Sequence, residues 1–208
     1  MALMRLDRHL ADPAPGFRCS PAGARNQSKQ FIARIRHEIG KPASARALAS
    51  AAELCGEAWM TVRPFVELHD GAVLYRDKKS DAAGIRFFEV AEWELRTREM
   101  RESMIAMGVD ENDMPEWFHQ GIVFAEIPQS ANYFVLQPMA PDTGCVFYCD
   151  HDGFEPEAMA TSFEDLLSLI VNDPAAFLFQ CGCYARYSDG KTPIQWCPEE
   201  YLADCGNE

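Results

Sequence analysis

The amino-acid sequence predicts an α+β fold, in which a mainly antiparallel central sheet is flanked by helices and preceded by an extra N-terminal helical segment. Two observations carry this prediction. Between residues 121 and 150, three short apolar runs are separated by turn residues, as expected for sequential strands that pair antiparallel. Directly after them, residues 161–171 combine a helix-start signal with apolar side chains spaced along one helix face, so this helix can pack on the sheet.

The N-terminal part of the chain is expected to precede the main domain. Residues 1–27 hold five Pro and Gly residues and show little periodicity, which predicts a loosely ordered leader. Residues 28–58 predict a helical extension, in which one helix runs from Ser28 to Gly40 and a second begins near Ser44. The main domain then spans residues 59–208 and closes with a short C-terminal coda.

The first half of the main domain predicts a helix, two strands and a longer helix. Residues 65–71 are typical of a short helix that Asp-Gly ends, residues 72–76 and 85–90 of strands, and residues 91–107 of a helix. Apolar residues recur along the longer helix at spacings of seven, four and three, and Met is a common filler of irregular core gaps. We expect the following stripe to face the core: Trp93, Met100, Met104 and Met107.

The second half predicts three strands and a capped helix. The strands are expected at residues 122–126, 133–137 and 145–149, broken by Pro and Gly. Residues 161–164, Thr-Ser-Phe-Glu, have the pattern of a capping box, and residues 172–174, Asn-Asp-Pro, end or kink the helix that follows. The side chains expected to pack that helix on the sheet are Phe163, Leu166, Leu167, Ile170 and Val171.

The order of these elements, together with three segments within them, resembles the SMI1/KNR4 family, the core of the SUKH superfamily. PFVELHDGAVLY is similar to the family's opening helix, glycine turn and strand, and IVFAEIPQSANYFVL is similar to its central hairpin. GCVFYCDHDG followed by MATSFEDLLSLIV is similar to its closing strand, acidic turn and helix. The resemblance covers about residues 60–180.

The resemblance implies an α+β domain that binds another protein and needs no catalysis. Many bacterial members resemble immunity proteins, which neutralise a toxin secreted or delivered by a competing or sister cell, and fungal relatives act as interaction hubs in cell-wall signalling. We therefore expect a non-catalytic binding module that occludes the active site of a cognate toxin. A regulatory or scaffold protein with a cellular partner stays open as the alternative.

Charge is distributed unevenly along the chain. The formal net charge is −13, and residues 102–208 carry nineteen Asp and Glu against two Lys and Arg, whereas residues 1–50 are basic. Such a field repels nucleic acid and anionic membranes and attracts a basic protein, for example a toxin domain that itself binds phosphates. Solubility alone also explains an acidic chain, and both interpretations stay open. For electrostatic binding, the predicted partner-binding residues are Asp142, Asp150, Asp152, Glu155 and Glu157.

His151, between Asp150 and Asp152, is the one cluster with a catalytic appearance. A histidine beside carboxylates can serve as a general base or a metal ligand. Adjacent side chains diverge at a strand-to-turn junction, however, so we expect that the three do not converge on one atom. No His-Glu-x-x-His, Gly-x-Ser-x-Gly or phosphate-binding glycine motif occurs. The sequence therefore predicts no enzymatic activity and no cofactor.

The hydropathy of the chain predicts its cellular location, and the location in turn predicts the state of its cysteines. No run of 18 consecutive apolar residues occurs, and charged residues interrupt residues 1–17, so we expect neither a membrane span nor a signal peptide but a cytoplasmic protein. Most of the eight cysteines are then expected to be free thiols. One set combines Cys-x-Cys with two later thiols, a spacing tighter than that of structural zinc sites, which favours packed thiols and leaves zinc open. Its members are Cys181, Cys183, Cys197 and Cys205.

Overall fold

The computed structural model describes residues 35–77, 83–110, 112, 114–151, 153–154, 158–172 and 174–181, and it confirms the predicted α+β fold. Seven strands belong to one sheet, in which they follow the chain order. The strands are β1 (Ile35–Ile39), β2 (Ala72–Asp77), β3 (Ile85–Phe87), β4 (Ile122–Ile127), β5 (Asn132–Leu136), β6 (Val146–Asp150) and β7 (Gly153–Phe154). The α-helices are α1 (Ala45–Cys55), α2 (Trp59–Leu68), α3 (Trp93–Ala106), α4 (Glu116–Gln120), α5 (Phe163–Asn172) and α6 (Pro174–Gln180).

Antiparallel pairing joins the neighbouring strands from β3 to β7. Ile122 lies opposite Leu136 in the β4–β5 pair, and Tyr133 lies opposite Cys149 in the β5–β6 pair. A bulge between Val123 and Ala125 interrupts the ladder of β4. The bounds predicted for β4, β5 and β6 are confirmed to within one residue, because their apolar runs are bracketed by turn residues.

The chain divides into two compact units, which are described separately. Of the described residues, the first unit contains 35–38, 73–77, 83–84, 167–172 and 174–181. The second unit contains 39–72, 85–110, 112, 114–151, 153–154 and 158–166.

Tyr75 is the centre of the first unit. Its backbone N–H donates to His37 Nδ1 at 3.1 Å, and its buried phenol donates to the Ile170 carbonyl at 3.2 Å. Burial raises the pKa of Tyr75, so the phenol stays protonated and keeps its hydrogen to donate. Its φ of +57° lies in the left-handed region, which costs a non-glycine residue about 1–2 kcal/mol. The two hydrogen bonds hold the residue in that conformation.

The helix predicted from Ser28 to Gly40 is wrong where the structure describes it, because residues 35–39 form strand β1. Residues 28–34 lie outside the described part. The spacing of four between Ile35 and Ile39 fits one helix face, but it also fits one face of a strand, on which every second side chain lies. Ile is β-branched and suits a strand, and the Tyr75 N–H gives His37 a partner on β2. The second predicted helix is confirmed as α1, which Ser44 caps.

Four phenylalanines form the core of the second unit. Phe65 on α2 and Phe163 on α5 have ring centroids 5.3 Å apart, and Phe65 lies 5.2 Å from Phe87 on β3. Phe163 also lies 5.2 Å from Phe124 on β4. Each ring is at most 5 % exposed. Tilted contacts at these distances contribute beyond area burial alone, so the cluster fixes two helices against two strands.

Helix α3 uses a second set of side chains. Trp93, Thr97, Met100 and Met104 are buried along one face. The Thr97 hydroxyl donates to the Trp93 carbonyl at 2.7 Å and accepts the Val123 backbone N–H at 2.9 Å. Because Val123 adjoins the β4 bulge, this hydroxyl satisfies a backbone donor where the ladder is interrupted.

The core role predicted for the stripe along α3 is confirmed for three of its four members. Trp93, Met100 and Met104 are buried, whereas Met107 is 52 % exposed. The helix ends at Ala106, so Met107 lies beyond the last residue at which the helical spacing applies.

Helix α2 begins at Trp59, before the start predicted at residue 65, and it contains Pro64. Proline inside a helix costs about 3 kcal/mol. The burial of Val62, Phe65 and Val66 outweighs that cost, since each side chain contributes about 1.5–3 kcal/mol. The start predicted at residue 65 was therefore six residues late.

Three smaller predictions also need correction. Strand β3 stops at Phe87, because the Asp70 carboxylate accepts the Val90 N–H at 2.8 Å and a 3-10 turn follows at Val90–Glu92. The capping box is shifted by one residue: Ser162 accepts the Asp165 N–H, and Asp165 accepts from Thr161. Helix α4 was not predicted, since five residues are too few to show a helical period.

The Thr97 hydroxyl gives a stability prediction. Replacing Thr97 with Val leaves the buried Val123 N–H without its acceptor, so we expect the free energy of unfolding to fall by about 2 kcal/mol. Thr97→Ser keeps the hydroxyl and should lose less than half as much. Urea denaturation of both variants measures the difference, and equal losses would contradict the role of the hydroxyl.

Gly40 gives a second stability prediction. A Cβ at Gly40 would lie 2.2 Å from the Asp70 carbonyl oxygen and 2.6 Å from the Gly71 carbonyl oxygen, which are backbone atoms of the same unit. Gly40→Ala should therefore lower the free energy of unfolding by about 2–3 kcal/mol. Gly108→Ala is the control, because its Cβ meets nothing within 4 Å and only its φ of +89° opposes the change, at about 1 kcal/mol. A smaller loss for Gly40→Ala than for Gly108→Ala in urea denaturation would contradict this account.

Candidate functional site

Two of the five predicted partner-binding residues lie in the described part of the chain, and the structure separates them. Asp142 is exposed in the connection between β5 and β6, whereas Asp150 is the last residue of β6. Strand β6 lies between them in sequence and spans about 13 Å, at a rise of about 3.3 Å per residue. Asp152, Glu155 and Glu157 lie outside the described residues. Asp142 therefore does not share one loop with the acidic turn.

Asp150 and His151 belong to a hydrogen-bonded group around Asn132, the first residue of β5. The Asn132 amide nitrogen donates to the Tyr148 hydroxyl at 2.7 Å and to Asp150 Oδ2 at 3.0 Å. The Asn132 amide oxygen accepts the His151 backbone N–H at 3.0 Å and lies 2.7 Å from His151 Nδ1. We call these four residues the Asn132 group. Asn132 is 4 % exposed, while the His151 side chain is 44 % exposed.

This group determines which nitrogen of neutral His151 carries the proton. The His151 backbone N–H can only donate, so the atom of Asn132 that faces it must be the amide oxygen. That oxygen is an acceptor for the imidazole as well, so Nδ1 must be the protonated nitrogen. The Nε2 atom of neutral His151 is then an acceptor, able to take a proton or a hydrogen bond.

The expectation that Asp150 and His151 diverge is wrong for this pair. His151 Nδ1 lies 3.4 Å from Asp150 Oδ1. The chain turns directly after β6, and Asn132 holds both residues from the neighbouring strand. Sequence reasoning missed Asn132, because its place beside Tyr148 and Asp150 is revealed only by the pairing of β5 with β6.

The cysteines nearest this group in the sheet are poor nucleophiles. Burial raises the pKa of the nearby Cys149 thiol to about 12, so it is not a nucleophile near neutral pH. Burial and the charge of Asp142 also raise the pKa of Cys145. Across the described ranges, no three His, Cys, Asp or Glu side chains are grouped as metal ligands. The arrangement can therefore orient a histidine for recognition.

A second polar cluster lies along α3, and its charges neutralise each other. Arg86 on β3 binds Glu92 at 2.9 Å and Glu126 at 3.5 Å, and Arg96 binds Glu92 at 3.1 Å. Both guanidinium carbons lie 5.0 Å from the Phe88 ring centroid. Burial raises the pKa of Glu126, although Arg86 opposes that shift. These contacts tie β3, β4 and α3 together and leave little charge for a partner.

The carboxylates of residues 102–185 lie in a stretch of the sequence without basic residues. Residues 102–185 contain no Lys or Arg at all. In the described part of that stretch, several carboxylates on loops and helices are exposed to solvent. They include Asp110, Glu116, Asp142 and Glu164. This surface is the electrostatic feature most available to a partner.

The zinc question bears on one described residue. Cys181 follows α6 and is buried, and its backbone N–H donates to the Phe177 carbonyl at 3.1 Å. Cys183, Cys197 and Cys205 lie outside the described residues, so the zinc hypothesis stays a prediction.

None of the described helices combines the length and the apolar composition that crossing a membrane requires.

Comparison with known proteins adds no identity. The chain matches no protein-family model and no curated protein. Assignment of a function therefore depends on the residues of this chain.

The proton position on His151 is directly measurable. Long-range ¹H–¹⁵N NMR spectra at a pH where His151 is neutral should show Nδ1 protonated and Nε2 unprotonated, because the Asn132 oxygen faces Nδ1. The exposed His119 on α4 serves as the internal reference for a histidine outside the group. Protonation of His151 at Nε2 would show that the Asn132 amide is oriented the other way.

Proposed function

We propose that this protein is a non-catalytic binding module of the immunity type, which binds a cognate toxin and neutralises it by covering its active site. The observation that carries the proposal is the acidic stretch of residues 102–185, in which exposed carboxylates occur without a single Lys or Arg. Such a surface complements a basic protein, for example a nuclease domain that must attract phosphates. Binding needs no cofactor, and the cytoplasm is the proposed location because an intracellular toxin acts there.

Two further observations support binding over catalysis. The Asn132 group presents an oriented histidine, while the nearby Cys149 thiol is held protonated by burial. The charges along α3 are paired within the protein, so the carboxylates elsewhere dominate the long-range field. The resemblance of residues 60–180 to the SMI1/KNR4 family points to the same class of activity.

The decisive experiment starts from the gene next to this one. The adjacent open reading frame is sequenced, its C-terminal domain is expressed, and cells producing that domain are grown with and without this protein. Rescue of growth together with a stoichiometric complex supports immunity. A housekeeping neighbour and no rescue would favour the alternative, a regulatory or scaffold protein with a cellular partner.

Electrostatic capture makes a kinetic prediction. The association rate constant with a basic toxin domain should fall at least tenfold between about 0.02 M and 0.3 M NaCl, because salt screens charges separated by more than a Debye length. Stopped-flow fluorescence measures that rate. An association rate that is indifferent to salt would contradict steering by the acidic surface.

Replacing His151 distinguishes a binding protein from an enzyme. If the protein acts only by binding, His151→Ala should weaken toxin binding by at most about fivefold and keep the growth rescue, since a rim contact contributes at most about 1 kcal/mol to affinity. Complete loss of rescue with unchanged affinity for the toxin would indicate a chemical step. Calorimetry on the purified pair separates the two outcomes.

A further inference from the structure

The 3-10 turn Gly56–Ala58 and the first turn of α2 that follows it lie against the connection between β5 and β6 at three points. The Thr143 hydroxyl donates to Glu57 at 3.4 Å. A Cβ at Gly144 would lie 3.4 Å from the Thr61 methyl group. A Cβ at Gly56 would lie 3.8 Å from the carbonyl oxygen of Pro138, the residue before Met139. A helix start and a sheet connection, 80 or more residues apart in sequence, thus form one continuous surface.

Two methionines stand exposed beside this junction. Met60 is 67 % exposed and Met139 is 53 % exposed, the two highest values among the exposed large hydrophobic side chains of the described residues. Met60 lies three residues after Glu57, so both side chains emerge from the same side of the helical turn. Methionine is unbranched and polarisable, and it adapts its shape to a partner's apolar side chain.

The charge around these methionines is negative. Glu57 and Asp142 are exposed at the junction, and Glu53 is exposed one turn earlier, on α1. Arg63 is the nearest base along α2, and Glu67 neutralises it at 2.7 Å. Within the part of the chain that the structure describes, the junction therefore combines exposed apolar side chains with carboxylates that form no ion pair.

We infer that Glu57, Met60, Met139 and Asp142, the methionine face, dock a basic protein surface that carries a projecting apolar side chain. The methionines receive the apolar side chain, while Glu57 and Asp142 pair with Lys or Arg around it. This inference rests on the proposed function and locates its interface at the β5–β6 end of the sheet, away from Asp150. A second copy of this chain fits poorly, since two such faces would oppose carboxylates with carboxylates.

The test uses the whole protein and a synthetic probe. The protein is labelled with ¹³C at its nine methionine methyl groups, and an amphipathic peptide of Lys and Leu is titrated against it. The Met60 and Met139 methyl signals should shift several times more than that of Met107, which directly follows α3, is 52 % exposed and serves as the matched control. The shifts should disappear at high salt, and peptides of Glu and Leu or of Lys and Ser should produce none.

Charge-reversal variants complete the test. Glu57→Lys combined with Asp142→Lys should weaken the Lys/Leu peptide about tenfold, because two exposed ion pairs contribute about 0.2–1 kcal/mol each. Glu94→Lys combined with Glu102→Lys changes the net charge equally on α3 and should leave the affinity within about twofold. Thermal denaturation checks that both double variants remain folded.

Several results would overturn the inference. It fails if Met107 shifts as much as Met60 and Met139, if the Glu/Leu peptide shifts them equally, or if no methionine responds. It also fails if both double variants lose affinity alike, which would show a general charge effect. In the toxin assay, Met60→Ser combined with Met139→Ser should lose growth rescue while Met107→Ser keeps it. Rescue by both variants would refute the methionine face and leave the immunity function standing.

Discussion

The contact between Phe65, Phe87, Phe124 and Phe163 is the interaction on which the rest of the second unit depends. The four rings come from α2, β3, β4 and α5, which span almost 100 residues of sequence. Burial of each ring contributes about 1.5–3 kcal/mol, so the cluster outweighs local penalties such as the proline inside α2. The position of α2 in turn places its first turn beside the β5–β6 connection.

The two kinds of charged side chain in this protein have separate roles. Arg86, Arg96, Glu92 and Glu126 are partly buried and bind one another, so they contribute to the packing of α3. Residues 102–185 contain no Lys or Arg, so the exposed carboxylates of that stretch, apart from Glu102 beside Arg98 and Arg101, have no basic residues near them in sequence. Because long-range attraction depends on net charge, the second group governs how a basic partner approaches, and the first group contributes little.

Much of the fold could be predicted from the sequence, and the failures have physical causes. Strands β4 to β6 and helix α5 were predicted because turn residues or a helical stripe mark their limits. The segment 35–39 was misread, since a spacing of four fits a helix face and a strand face equally well. The approach of His151 to Asp150 depends on Asn132, which lies 19 residues earlier and is brought near only by strand pairing. Spacing along a sequence carries no information about such a neighbour.

The Asn132 group also answers a question about strand alignment. Val146 to Cys149 are all buried, and so are Phe134 to Leu136, so the hydrophobic pattern hardly distinguishes one alignment of β5 and β6 from another. A shift of one residue would place Asn132 on the face opposite to Tyr148 and Asp150, and a shift of two would move it away from Tyr148 in one direction or from His151 in the other. The directional hydrogen bonds of one buried amide therefore favour a single register, whereas the apolar side chains alone are compatible with several.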